Sequence, residues 1–245
     1  MFRVLDLFSG IGGFSLGLER TGGFKTVAFC EIEPFCRRVL KKHWPEVPCY
    51  DDVRSLTAER LLADGIDVDV ICGGFPCQGI SHAGPKTGLA DERSGLWGEI
   101  ARLAGEIRPG LILLENVAAL LGRGMGDVLR DLSALGFDAE WSTVSACSLG
   151  APHMRRRVFI VANANGLNGR PRVRNPFAQR RWQIPAGDRL ESARVGWRAR
   201  LENPSELYRD ADGVPFGMDR NHAIGNSIFP QIPELIGRAI LDAAA

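Results

Sequence analysis

No stretch of this sequence approaches the ~20 consecutive apolar residues that a membrane-spanning helix needs. The first ten residues, MFRVLDLFSG, lack a basic head followed by a long apolar run, so no secretory leader is expected and the protein is expected in the cytoplasm. There is no internal repeat and no low-complexity tract. Cysteine is sparse and scattered: Cys30, Cys36, Cys49, Cys72, Cys77 and Cys147 form no CxxC pair, and their spacing matches no zinc site, so no metal is expected. Most of them sit in apolar runs and are expected to behave as small buried hydrophobes in a reducing compartment, Cys77 excepted.

Within these limits the chain is an ordinary globular one. Its 245 residues, 45% apolar and 24% charged, are enough for one α/β domain with a small appendage. The net charge of +1 conceals an asymmetry. Residues 163–210 carry ten Arg against five acids, a balance of +5 that leaves −4 for the rest. A basic insert on a mildly acidic body points to a local anionic partner, with plain solvated charge as the alternative.

Over the first ~160 residues, β-rich runs alternate with helical spacing, the pattern of βαβ units. Strands are predicted at 3–8, 26–31, 68–73, 110–115, 140–146 and 157–162, and helices at 14–20, 34–43, 95–107 and 125–135. The expected fold is α/β, a doubly wound and mostly parallel sheet with ligands at the carboxyl ends of its strands. The expected domains are a catalytic body at 1–162, a short irregular insert at 163–210, and a segment at 211–245 that returns to the body and ends in a helix.

Asp6-Leu7-Phe8-Ser9-Gly10-Ile11-Gly12-Gly13 runs from a strand straight into a helix. Glycines there allow a tight turn and close approach of a ligand, although helix–strand packing alone also calls for them. Glu31 follows about twenty residues later, where an acid can accept hydrogen bonds from ribose hydroxyls. The third glycine of a pyrophosphate fingerprint is missing, since Phe14, Ser15 and Leu16 follow Gly13. A nucleoside cofactor without a diphosphate, such as S-adenosylmethionine, fits better than a nicotinamide dinucleotide.

A second motif follows the apolar run 68–72: Gly73-Gly74-Phe75-Pro76-Cys77-Gln78-Gly79-Ile80-Ser81. A Cys in a Gly/Pro loop at a strand's carboxyl end faces the ligand crevice and serves as a nucleophile where its thiolate is stabilised; a cysteine packed beneath the sheet edge is the alternative. Leu111-Ile112-Leu113-Leu114-Glu115-Asn116-Val117 ends a buried strand on a carboxylate at the same edge. Burial favours the protonated acid and so a donor role, although a strand-end Glu also serves to cap the next element.

FSGIGG, GGFPCQGIS, LLENV, MRRRVFIVA and IGNSIFP occur here in the order found in bacterial and phage DNA (cytosine-5)-methyltransferases, and on these motifs the chain resembles that family over residues 1–162 and 211–245. The resemblance implies a class I, Rossmann-like methyltransferase fold with a reduced target-recognition region. It also implies S-adenosylmethionine as cofactor, double-stranded DNA as substrate, a monomer, and a restriction-modification setting with a cognate endonuclease. It assigns Phe8, Gly10 and Gly12 to the cofactor lining, Glu31 to the ribose, Ile32 to the adenine face and Asp52 to the adenine amine. Cys77 becomes the nucleophile on a flipped cytosine, with Pro76, Gln78 and Ser81 supporting its loop. Glu115 meets the N3/N4 edge of the base, and Asn116 holds the Cys loop. Arg155 and Arg157 are the paired arginines beside the base, and Asn226 and Ser227 close the cofactor pocket.

Four departures stand out. His153 replaces the usual Gln, Ile80 stands where Phe is common, and the motif before GNS is eroded in residues 209–220. Only 48 residues are left for reading DNA sequence, and none of them is a Cys that could staple a small domain. An RNA (tRNA) cytosine-5 methyltransferase, or a catalytically degenerate DNA-binding member of the family, therefore remain the competing readings.

Overall fold

The structure is a computed structural model, and it describes residues 1–76, 96–149, 155–164 and 227–244, with side chains at all of these but Leu149 and Ala244. Seven strands form one sheet in the order β3-β2-β1-β4-β5-β7-β6. They are β1 (Phe2–Leu7), β2 (Phe24–Cys30), β3 (Cys49–Tyr50), β4 (Val70–Gly74), β5 (Leu111–Val117), β6 (Phe137–Ser145) and β7 (Arg156–Ala164). Six helices accompany them: α1 (Gly13–Glu19), α2 (Pro34–His43), α3 (Ala58–Ala63), α4 (Leu96–Ile107), α5 (Met125–Ala134) and α6 (Gln231–Ala244). None among the described residues is long and apolar enough to cross a membrane.

A sheet covered on both faces needs strands that are apolar on both sides, and β1, β4, β5 and β7 are such strands. Val4, Val70, Leu113 and Phe159 belong to a core built with Phe14 and Leu18 of α1 and Ile232, Ile236 and Ile240 of α6. Their strand neighbours Leu5, Ile71, Ile112 and Ile160 belong to a second core with Leu61, Trp97, Ile100, Leu103 and Leu132 from α3, α4 and α5. The period-2 alternation thus separates two apolar layers. Ile232, Ile236 and Ile240 recur every four residues, one stripe of α6, and each buried side chain contributes about 1.5–3 kcal/mol.

That stripe sits unusually close to α1. A Cβ on Gly13 would collide with the carbonyl of Ile228, and one on Gly17 with the carbonyl of Pro230. Glycines one turn apart let the two backbones touch, so the end of the chain closes onto its beginning.

Two features differ from the sequence expectation, and a third fills out the mostly parallel sheet that was expected. β3 and α3 were not anticipated, because two and six residues are too short to show a period; α3 is marked instead by its N-cap, Thr57, which accepts from the Arg60 amide. β7 continues to Ala164, so Asn163 and Ala164 pair within the sheet rather than opening the insert. And β7 runs antiparallel to both its neighbours, the only one of the seven described strands that is reversed. A reversed strand brings its start, not its end, to the edge where the others finish.

Candidate active site

The glycine turn is built on unusual backbone. Phe8 has φ +53°, Gly10 +54° and Gly12 +85°, all in the left-handed region. Phe8 lacks glycine's freedom there, and such strain is held only where the surroundings enforce it. Ser9 does much of the holding: its hydroxyl donates to the carbonyls of Asp6 (2.6 Å) and Cys30 (3.3 Å), and its own carbonyl accepts from Gly12 (2.9 Å). Gly12 is required twice over, by its φ and because a Cβ would lie 2.7 Å from the Trp44 ring. Trp44 is itself fixed, its indole N–H donating to Glu19 (2.8 Å) and its ring set edge-on to Phe29.

Glu31, just past β2, crosses to this turn. One carboxylate oxygen accepts from the Gly10 amide (2.6 Å) and the other from the Glu33 amide (2.8 Å). The side chain is buried, while Ile32 next to it is 57% exposed and nothing among the described residues lies within 4 Å of a Cβ on Gly10. This leaves an open shelf with a rigid carboxylate at its edge. Asp52, after β3, is clasped by the Arg54 guanidinium at 2.9–3.2 Å, which lowers its pKa below the usual carboxylate range.

Asp6 opens the glycine motif at the end of β1, and its side chain turns inward. It is fully buried, accepts from the Ser15 hydroxyl at 2.7 Å and is paired in the sheet with Cys72. Burial pushes it up to about 7 against the pull of its hydrogen bonds. The same burial, with Asp6 alongside, raises the Cys72 thiol far above its ordinary value. The sequence signal was available: an acid inside an apolar strand needs a donor, and Ser15 faces it from α1.

On the other side of β1 the site changes character. β4 and β5 pair in register with Gly74 opposite Glu115, three residues before Cys77. A Cβ on Gly74 would sit 2.9 Å from Glu115 Oε2, so the glycine makes room for the carboxyl group. Asn116 turns its side chain to the incoming Cys loop, donating to the Phe75 carbonyl (3.2 Å) and accepting from the Val117 amide (2.8 Å).

The antiparallel β7 pairs Arg157 with Val117, which brings its guanidinium Nε to 2.9 Å from Glu115 Oε1. The approach is ionic in distance but not directed as a hydrogen bond, and that oxygen is otherwise unmatched among the described residues. Burial raises the pKa of Glu115, with Arg157 and Arg155 opposing the shift. Burial and the neighbouring Arg157 likewise bring Arg155 down from the ordinary arginine value. Cys77, Gln78, Ser81 and Asn226 lie outside the described residues; Pro76 and Ser227 are the last described positions beside them.

The expected residues thus gather at one sheet edge. Phe8, Gly10, Gly12, Glu31, Ile32 and Asp52 follow the ends of β1, β2 and β3, while Glu115, Asn116, Arg155 and Arg157 stand where β5 ends and β7 begins. Such an edge can hold a nucleoside on one side and polarise a planar, hydrogen-bonding ring on the other.

The sequence profile of the C-5 cytosine-specific DNA methylases matches residues 2–199. The Type II methyltransferase M2.BsuMI of Bacillus subtilis is 38% identical over 169 residues, 66% of this chain and 42% of its own length. The Type II methyltransferase M.MspI of a Moraxella species is 30% identical over 226 residues, 90% of this chain and 52% of its own. The chain spans about half the length of the curated relatives it matches. The Dnmt2 methyltransferase of S. pombe shares the fold at a TM-score of 0.57 and 24% identity, over 67% of this chain and 51% of that one. With the fold and most of its length matched in this way, the chain belongs to the C-5 cytosine-specific DNA methylase family.

Proposed function

We propose that the protein transfers a methyl group from S-adenosylmethionine to C5 of a flipped-out cytosine in double-stranded DNA, using Cys77 as covalent nucleophile. The observation that carries this reading is the pairing of Gly74 with Glu115, braced by the bond from Asn116 to Phe75. It ties the strand that leads into Pro76-Cys77 to a buried acid flanked by two arginines.

The cofactor fits the shelf beside the glycine turn. Glu31 would take the ribose hydroxyls on lone pairs left free by Gly10 and Glu33, Ile32 would lie on the adenine, and Asp52 would take its amine. Phe8, Gly10 and Gly12 would line the shelf, and Asn226 and Ser227 would close it. When bound, S-adenosylmethionine supplies an electrophilic methyl on a sulfonium and departs as a neutral thioether.

The residues of the chain make cytosine able to accept that methyl. The Cys77 thiolate adds to C6, forming a C–S bond while the C5–C6 π electrons move into the ring, so that C5 becomes an enamine carbon. Glu115, whose neutral form burial favours, donates to N3 and neutralises the developing charge. Arg157 and Arg155 hold Glu115 and the base edge. After C5 takes the methyl, loss of the C5 proton returns its electron pair to the C5–C6 bond and expels the thiolate. Extruding the base costs roughly a few kcal/mol, offset by arginine contacts to phosphates, for which the +5 insert is the natural source.

The test is a trap. Duplex DNA carrying 5-fluorocytosine should leave a denaturation-resistant adduct with the wild-type protein, because fluorine blocks the final elimination, and its yield should fall steeply with salt. Cys77→Ser should give no adduct and no turnover while retaining cofactor binding. Normal turnover by the serine protein would sink the covalent route, and transfer to tRNA in place of DNA would move the substrate to RNA.

A further inference from the structure

The C-terminal segment touches both halves of the site through one residue. The carbonyl of Ile228 occupies the space a Cβ on Gly13 would need, at the start of α1 behind the glycine turn. At its other end, Ile228 Cδ1 lies 3.6 Å from where a Cβ on Gly74 would sit, and Glu115 Oε2 lies 2.9 Å from that same point. Ile228, Phe229 and Ile232 line the crevice into which Glu115, Arg155 and Arg157 also face. Among the described residues, the charged groups that meet Glu115 there are Arg155 and Arg157; β4 presents Gly74, the turn after β6 presents Ala146, and the C-terminal segment presents hydrocarbon.

We propose that Ile228 is a positioning residue for Glu115: its side chain, laid over Gly74, closes the crevice and keeps water from the carboxyl group. The physics is that of a dry wall. Hydrocarbon on one side of a carboxyl group removes the water that would solvate its charge, and so favours the neutral acid even beside two guanidinium groups. Isoleucine suits the task because its branched side chain is stiff and its Cδ1 carries the reach. The same residue braces α1, so one side chain and its carbonyl link the cofactor shelf to the acid. The inference rests on the reading of Glu115 as donor to the base, but it can be tested apart from methyl transfer.

The experiment is a carbon-13 NMR titration of the full chain labelled at the glutamate carboxyl carbons, with the Glu115 signal identified by its loss in Glu115→Gln. Ile228→Thr keeps the β-branch, removes Cδ1 and puts a hydroxyl that can hold water in place of a γ-carbon. It should lower the Glu115 midpoint by about one pH unit, a tenfold loss of proton affinity. Ile228→Val removes Cδ1 alone and should shift the midpoint the same way by less. Circular-dichroism melting checks that each variant folds. An unchanged midpoint in the Thr variant, or in the Val variant should Thr fail to fold, overturns the proposal. Methyl-transfer assays run in parallel keep the two readings apart: a wild-type protein without transfer would defeat the proposed function and leave the titration standing as the test of the wall.

Discussion

The two sides of the sheet edge handle buried carboxylates in opposite ways. On the β1–β2 side, Glu31 has both oxygens matched by backbone amides and Asp6 has the Ser15 hydroxyl. On the β5–β7 side, Glu115 is equally buried, yet its Oε1 meets Arg157 only as an ion contact. A carboxylate with its hydrogen bonds complete is a strut that keeps a shape ready for a ligand. One left incomplete in a dry crevice is costly to hold and is worth that cost only if something binds there. The first arrangement suits a cofactor held in fixed geometry, the second a group that must change partner during a reaction.

The comparison yields three tests, the largest first. Asp6 keeps its proton in the fold up to about pH 7, whereas an unfolded aspartate loses it near pH 4. The folded state therefore binds the extra proton between those values, and the stability this brings is complete below about pH 4 and lost as pH rises through 7. Asp6→Asn copies the protonated form and should remove that slope, a difference of about 4 kcal/mol at most. Urea unfolding at pH 5 and pH 8 measures it; equal slopes in the two proteins would mean that Asp6 is ionised in the fold.

Next in size is Glu115→Gln. The amide can still donate a hydrogen bond but cannot give up a proton to N3, and methyl transfer should slow by about 10²–10³-fold. The thermal midpoint should not fall, because the amide copies the shape and neutrality of the protonated acid that burial favours. A stability loss as large as the rate loss would make Glu115 a strut like Glu31, and the contrast would collapse.

The smallest effect is expected at Glu31. Glu31→Ala should weaken S-adenosylmethionine binding by roughly 1–3 kcal/mol, through the lost acceptor and the loosened Gly10 amide. Calorimetry decides it, and unchanged affinity would place the ribose on another carboxylate.

The chemistry-bearing motifs were legible in the sequence because each is local. A glycine turn needs only consecutive residues with the right φ, and an acid ending an apolar strand is visible in Leu111–Val117. Glu31 was legible because a βαβ unit puts the end of the second strand beside the first turn. The clasp of Arg54 on Asp52 is also local, but two residues of opposite charge at that spacing have many other arrangements open to them.

What the sequence by itself determined, then, is the order of the longer strands and helices and the candidate groups that stand at strand ends. The tertiary structure decided which groups meet. β7 lies between β5 and β6 and runs against both, and that reversal carries Arg157 to Glu115. The closure of α6 on α1 depends on Gly13 and Gly17 meeting carbonyls more than two hundred residues away. Ile228 becomes a wall of the crevice only through that closure, because contacts between distant residues are set by packing and leave no period in the chain to read.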